Sequence, residues 1–258
     1  MELQSYLDIV YTETSGTALL LDIYRPADDR CYPVLLHVHG GGWCVGGRSR
    51  DVECFRHHVE QGYVVVDIDY RLAPEHPYPA ACDDVHTAAH WLLAHAEEYG
   101  GDARRFGALG YSAGGHLLAL LATEANTPLT CTVCWGNPTD MRREPVTPPY
   151  RGYAWAFMSA CPNEDANLYD AASPVTRLTK QTPPLLHLHG TADGVVPVHH
   201  ARFLAEAAAQ VGAPVEVIIQ DGGGHCVAGN AEDGERAEAA IRHFFARHLL
   251  PMTTESVG

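Results

Sequence analysis

Apolar residues fall into short strand-like runs separated by longer runs with helical spacing. The first two runs, 7–12 and 18–24, alternate apolar and polar residues around a turn at 14–16, which is typical of two antiparallel strands at a sheet edge. The later runs are almost wholly apolar, as expected for parallel strands with helices on both faces. They cover residues 33–39, 62–69, 106–109, 129–135, 184–189 and 214–220.

Helical spacing fills most of the intervals between these strands, as in residues 80–99, where Val85, Ala89 and Leu92 recur at core positions. The other predicted helices cover residues 51–61, 112–124, 199–211 and 231–250. This alternation predicts an α/β fold with a mostly parallel, doubly wound sheet of about eight strands. Ligand sites of such sheets lie beyond the carboxyl ends of the strands.

Residues 136–183 interrupt the alternation and are rich in proline and aromatic residues, including Tyr150, Tyr153 and Trp155. A long irregular segment inside a compact domain is usually functional. We expect it to form a pocket wall or partial lid over the carboxyl edge of the sheet. Packing of its aromatic rings onto the domain is an alternative that is compatible with that role.

Composition narrows the class of protein. No linker, repeat or charge block divides the 258 residues, so we predict a single domain over 1–258, with a frayed tail at 251–258. The net charge of −15 and the single lysine, Lys180, argue against nucleic-acid and membrane-surface partners. No secretory signal or membrane-spanning run is visible, so a cytoplasmic location is expected. A homo-oligomer stays open.

The cysteines and histidines do not predict a metal or redox site. Eight cysteines lack a disulfide-framework spacing, and reduced thiols are expected in a chain of this size. Cys131 and Cys134 lie in a strand-like run, where residues three apart point to opposite faces. The sixteen histidines include pairs at 37/39 and 187/189, but no third ligand stands at a recognisable spacing. No cofactor or metal is predicted.

The strongest local motif is Gly110-Tyr111-Ser112-Ala113-Gly114-Gly115, between a strand-like run and a helical run. A G-x-S-x-G turn of this kind is a nucleophile elbow, in which Gly110 and Gly114 leave room for a very tight strand-to-helix turn. Ser112 is then exposed at the sheet edge as a nucleophile. The alternative is a purely structural role for Ser112 as a helix N-cap, which does not explain the two glycines.

A serine nucleophile needs a histidine base, an orienting acid and donors for the oxyanion. His225 follows the last strand and Asp193 follows the strand before it, which gives the chain order Ser, Asp, His of the α/β-hydrolase triad. Asp140 is a rival acid. The backbone amides of Gly41, Gly42 and Ala113 are the predicted oxyanion donors.

These motifs resemble those of α/β-hydrolase serine esterases of the hormone-sensitive-lipase and acetyl-xylan/feruloyl-esterase group. Residues 39–43 match that group's HGGGW loop, and residues 110–115 match its elbow. Further matching blocks are 69–75 (DYRLAPE), 77–81 (PYPAA), 173–175, 189–197 and 224–225. The resemblance implies an α/β-hydrolase fold, a Ser112-Asp193-His225 triad, and an aspartate at 83 or 84 that braces the loop of Arg71.

Two departures from the group bear on the substrate. Only 38 residues of this sequence precede the HGGGW loop, so we expect no N-terminal helical cap, and Tyr111 stands where larger relatives carry aspartate. An uncapped, open site favours short acyl groups on a bulky alcohol, such as acetylated sugars. The candidate substrate-binding residues are Trp43, Tyr111, Tyr153 and Trp155.

The sequence therefore predicts a carboxylic-ester hydrolase that acts on a small-molecule or oligosaccharide ester. Two alternatives remain open. One is an amide or formamide hydrolase resembling kynurenine formamidase, and the other is a catalytically silent, ligand-binding member of the fold.

Overall fold

A computed structural model describes residues 2–14, 16–49, 53–143, 147–160 and 164–250. Within them a single eight-stranded sheet has the order β1-β2-β4-β3-β5-β6-β7-β8. The β1–β2 and β2–β4 pairs are antiparallel, and every other neighbouring pair is parallel. The strands are β1 (Leu3–Thr14), β2 (Thr17–Pro26), β3 (Tyr32–Val38), β4 (Val64–Ile68), β5 (Gly101–Tyr111), β6 (Cys131–Trp135), β7 (Leu185–Gly190) and β8 (Val215–Gln220). The predicted α/β fold is confirmed.

Eight α-helices connect or cover these strands in the described residues. They are α1 (Glu53–Glu60), α2 (Ala80–His95), α3 (Ala113–Ala122), α4 (Pro148–Met158), α5 (Ala166–Ala171), α6 (Pro174–Arg177), α7 (His199–Val211) and α8 (Ala231–Leu249). The helix predicted over 80–99 becomes a 3₁₀ turn at Ala96–Tyr99 and stops where Gly100 adopts φ 70°. In the described part of the chain, no helix is long and apolar enough to cross a membrane.

The sheet separates two apolar cores. One contains the buried face of α2 and α3, including Val85 and Leu117, and the other contains that of α8, including Ile241 and Phe245. Cys134 belongs to the first core and Cys131 to the second. Their side chains therefore point to opposite faces of β6, as the strand periodicity predicts.

Residues 136–183 are more regular than the sequence suggested, because they contain α4, α5 and α6. Pro148 and Pro149 occupy the first turn of α4, where proline begins a helix rather than breaking one. Tyr150, Ala154 and Phe157 are buried at helical spacing and pack this segment onto the domain.

Some predicted features lie outside the described residues. These are the turn residue Ser15, the first two positions of the helix predicted over 51–61, and the tail 251–258. Residues 144–146 and 161–163 of the long segment also lie outside them.

Candidate active site

Ser112 lies at the junction of β5 and α3 with φ 52° and ψ −120°, a conformation that is strained for a residue with a side chain. An ideal Cβ on Gly110 would lie 2.7 Å from the carbonyl carbon of Gly114, and one on Gly114 would lie 2.0 Å from the Val38 oxygen. Neither position has room for a methyl group. These contacts explain why the turn requires glycine on both sides of the serine.

His225 joins Ser112 to Asp193. Its Nδ1 lies 2.8 Å from Asp193 Oδ2, and its Nε2 lies 2.9 Å from Ser112 Oγ. A carboxylate oxygen only accepts, so Nδ1 carries the proton and the neutral Nε2 accepts from the serine hydroxyl. The structure thus brings together three predicted residues, of which Ser112 and His225 lie 113 positions apart in the sequence.

Asp193 is held on both oxygens. The amides of Val195 and Val196 donate to Oδ1 at 2.8 and 2.9 Å, while Oδ2 receives His225. Burial on its own raises the pKa of the Asp193 carboxyl. The hydrogen bonds from His189, His225 and the Val195 amide outweigh burial, and the pKa lies well below its usual range. Asp193 is therefore ionised at neutral pH.

Asp140, the rival acid, belongs to a different cluster. Its buried carboxylate accepts hydrogen bonds from Arg142 at 2.8 Å on each oxygen and from Arg143 at 3.2 Å. Among the described residues no hydrogen bond joins it to His225. The geometry favours Asp193 as the partner of the histidine.

The loop of residues 39–43 lies directly on the elbow. An ideal Cβ on Gly40 would lie 3.4 Å from Ser112 Cβ, and Gly41 and Gly42 adopt φ 116° and 59°. Within the described residues, the amides of Gly41, Gly42 and Ala113 donate no hydrogen bond. These amides are available to a substrate oxygen beside Ser112.

Two neighbouring blocks brace this loop. The His39 ring stacks on Tyr70, whose hydroxyl donates to the His39 carbonyl at 3.1 Å. Burial lowers the pKa of His39, so its ring is neutral. Arg71 is bound by Asp84 with contacts of 2.7 to 3.0 Å, which identifies Asp84, not Asp83, as the aspartate that braces the Arg71 loop.

A cavity of about 430 Å³ opens over Ser112. The predicted binding residues Trp43, Tyr111 and Tyr153 line it. Six further lining residues were not named as binding candidates, although the first three belong to the segment predicted to form a pocket wall, and these are Pro138, Pro149, Tyr150, Val195, Val196 and Cys226. The 149, 150, 153 spacing of α4 could have indicated part of this wall, since those positions share one face of a helix.

Trp43 and Trp155 occupy different environments. Trp43 is buried and stacks on Phe157 with ring centroids 4.4 Å apart, so it contributes to the wall of the cavity from the core. Trp155 is half-exposed and lies beside the Arg151 guanidinium. It is not among the residues that line the cavity, and the structure does not bring it together with the other predicted binding residues.

Comparison with known proteins agrees with this architecture. The model of the BD-FAE family matches residues 21–208. Esterase LipC of Mycobacterium tuberculosis is 34% identical over 210 residues, covering 73% of this chain and 52% of LipC. The chain therefore spans about half the length of that curated relative.

Solved structures share the fold over nearly the whole chain. A truncated carbohydrate esterase from gut microbiota has a TM-score of 0.78 at 22% identity, covering 96% of this chain and 97% of its own. A thermophilic esterase of Thermogutta terrifontis has a TM-score of 0.78 at 23% identity, covering 96% and 95%. With the family match over residues 21–208, these findings show that the chain belongs to the BD-FAE family of α/β-hydrolase esterases.

Proposed function

We propose that this protein hydrolyses carboxylic esters through an acyl-enzyme on Ser112. The observation that carries the proposal is the position of His225, whose two ring nitrogens lie 2.9 Å from Ser112 Oγ and 2.8 Å from Asp193 Oδ2. This relay lies beneath an open cavity, beside three backbone amides. Such an arrangement supplies a base, an orienting acid and oxyanion donors for acyl transfer.

In the first half of the reaction, Ser112 Oγ attacks the acyl carbonyl while its proton passes to His225 Nε2. The carbonyl oxygen becomes an oxyanion that accepts hydrogen bonds from the amides of Gly41, Gly42 and Ala113. One preorganised donor of this type contributes about 3 to 4 kcal/mol to the transition state. Collapse of the intermediate releases the alcohol, which takes the proton from His225.

In the second half, water replaces the alcohol. His225 accepts a proton from the water as it attacks the acyl carbon, then returns that proton to Ser112 Oγ as the carboxylic acid leaves. Asp193 stabilises the imidazolium in both halves, because its carboxylate is ionised and fixed by the Val195 and Val196 amides.

The cavity supports short acyl groups as the substrate class. The Tyr153 ring packs closely on the loop of residues 39–43, which we call the oxyanion loop. An ideal Cβ on Gly42 would lie 2.3 Å from Tyr153 Cγ. Pro138, Tyr150 and Val196 add an apolar lining. A volume of about 430 Å³ is at the small end for ligand pockets, and it suits an acetyl group with part of its alcohol. Acetylated sugars are the bulky alcohol esters that we propose to test.

The test measures initial rates with p-nitrophenyl acetate, butyrate and octanoate, with acetylated xylo-oligosaccharides, and with N-formylkynurenine. We expect the rate to fall steeply with acyl length and Ser112→Ala to lower kcat at least about 10⁴-fold. An organophosphate should add one phosphoryl group to the peptide that contains Ser112, as seen by mass spectrometry. Circular dichroism of Ser112→Ala checks that the fold is intact.

The outcomes separate the candidate functions. Full activity in a folded Ser112→Ala would reject the acyl-enzyme mechanism. Turnover of N-formylkynurenine but of no ester would favour the formamide hydrolase. Equal rates on acetate and octanoate would reject the short acyl site while leaving the esterase mechanism in place.

A further inference from the structure

Two buried histidines of β7, His187 and His189, extend the chain of side-chain contacts that runs through Asp193. His189 Nε2 lies 2.8 Å from the Val196 carbonyl oxygen and 3.4 Å from Asp193 Oδ2. His187 Nε2 lies 3.1 Å from His189 Nδ1. Both side chains are fully buried, and the reaction steps above use neither of them.

The partners of His189 determine where its proton lies. The Val196 carbonyl only accepts, so His189 Nε2 must carry a hydrogen. That N–H also points close to Asp193 Oδ2, which receives His225 Nδ1 on the same oxygen. Burial keeps the pKa of His187 well below its ordinary value, so His187 is neutral. Its Nε2–H can then donate to His189 Nδ1 and fix the His189 tautomer.

The second contact of His189 is with the turn that orients Asp193. The Val196 amide donates to Asp193 Oδ1 while the Val196 carbonyl accepts from His189. One residue thus ties both the carboxylate and the turn to the same imidazole. Leaving a buried carbonyl such as that of Val196 without its donor is costly, so the ring holds the turn in place.

We propose that His189 is a positioning residue for ester hydrolysis, which acts through Asp193 and is held in one tautomer by His187. Its N–H fixes the turn that carries Asp193 and shares the carboxylate oxygen that orients His225. The inference rests on the function proposed above.

The neighbouring groups leave few other charges in this region. His225 and Cys226 face Asp193 from the loop after β8, His187 shares the strand, and His199 and His200 face His189 from α7. Burial holds the pKa of His200 at about 3 and raises that of Cys226 to about 12, so both are neutral at pH 7. Beyond His200, Asp140 is paired with Arg142.

A matched pair of variants tests the role of the Nε2–H. The amide nitrogen of His189→Gln can occupy the position of Nε2, whereas that of His189→Asn reaches only the position of Nδ1. We expect His189→Asn to lower kcat about 10- to 100-fold, the range for a hydrogen bond to a charged group, with KM changed less than about threefold. His189→Gln should restore most of kcat.

The pH profile distinguishes positioning from packing. Without the His189 donor, more of the negative charge on the Asp193 carboxylate is available to stabilise protonated His225. The acidic limb of the kcat/KM profile should therefore move to higher pH in His189→Asn. Packing loss alone would leave that limb in place. Thermal melts identify variants that fail to fold. If the His189 variants do not fold, His187→Gln replaces them in the measurement, because it weakens only the hydrogen bond from His187 to His189 Nδ1.

Two results would overturn the inference. The first is a kcat and a pH profile like those of the wild type in both His189→Asn and His187→Gln. The second is an equal loss of kcat in His189→Asn and His189→Gln, with the acidic limb of kcat/KM unshifted in both. Ser112→Ala is assayed in parallel. Activity in that variant would reject the proposed function itself, whereas a Ser112-dependent rate that ignores position 189 would reject only the inference.

Discussion

The first turn of α3 packs directly on the end of β3, because an ideal Cβ on Gly114 would lie 2.0 Å from the Val38 carbonyl oxygen. Since residue 39 begins the proposed oxyanion loop (residues 39–43), this contact sets the distance between that loop and Ser112. We expect Gly114→Ala to lower the free energy of unfolding by about 1 to 3 kcal/mol and to reduce kcat as well. Urea unfolding and initial rates measure the two effects.

Gly152→Ala is the matched control for that substitution. Gly152 lies in α4, and nothing stands within 4 Å of its ideal Cβ. Alanine is the better helix former by about 1 kcal/mol, so this variant should be as stable as the wild type or more so. Equal stability of the two variants would contradict the tight contact at Gly114.

Substitution of the two candidate acids should have opposite consequences. Asp193→Asn should lower kcat about 10⁴-fold with little loss of fold, because an asparagine favours the wrong tautomer of His225. Asp140→Asn should leave kcat within about twofold but lower the free energy of unfolding by about 1 to 3 kcal/mol, because its bonds to Arg142 and Arg143 weaken. Kinetics and urea unfolding of both variants check this, and a large kcat loss in Asp140→Asn would reverse the assignment.

The sequence predicted the strands, the elbow and the triad because each leaves a local signal. Gly110 and Gly114 are required by steric contacts within the turn itself, so the motif is visible in a few residues. Asp193 and His225 each follow a strand that is recognisable as an apolar run. The helix α4 within the segment of residues 136–183 was missed for a physical reason. Pro148 and Pro149 look like breakers until their place in the first helical turn is known.

Features that depend on long-range packing were also beyond the sequence. Trp43 and Trp155 look equally suited to bind substrate, but only the fold buries Trp43 against Phe157 and leaves Trp155 outside the cavity. The tie between His189 and Asp193 likewise depends on how the 191–196 turn folds back. Strand periodicity places His187 and His189 on one face without naming their partners.

The Arg71–Asp84 pair should be a major support of the proposed oxyanion loop (residues 39–43). Asp84 is 4% exposed in its side chain and Arg71 15%, and the loop they hold donates from the Ala73 amide to the Trp43 carbonyl at 2.8 Å. Removing one partner of a buried pair costs about 3 to 5 kcal/mol, because the other charge stays buried and unpaired.

We therefore expect Arg71→Met to lower the free energy of unfolding by about that amount. The double variant Arg71→Met/Asp84→Leu should recover part of the loss, although the Arg71 amide loses its acceptor. Denaturant unfolding of both single variants and the double variant gives the coupling energy. Additive losses would show that the two side chains do not support each other.

Stability should fall on mild acidification because burial strongly lowers the pKa of four histidines. Burial lowers the pKa of His58 and of His200 to about 3, that of His116 to about 4, and that of His187 well below its ordinary value. In the unfolded chain each histidine takes up a proton near pH 6.5. The unfolded state then binds more protons than the folded state, so stability is complete above about pH 6.5 and is lost as pH falls.

The size of the effect makes this window testable. At pH 5 each such histidine costs about 2 kcal/mol, and four together cost roughly 8 kcal/mol, comparable to the whole stability of a domain. The depressed pKa of Asp193 acts in a separate window, since that carboxylate's contribution is lost only below about pH 4. Urea unfolding between pH 8 and 5 should show the fall, and His58→Leu should reduce its slope by about one proton. A flat stability profile down to pH 5 would mean that these rings gain protons in the folded state.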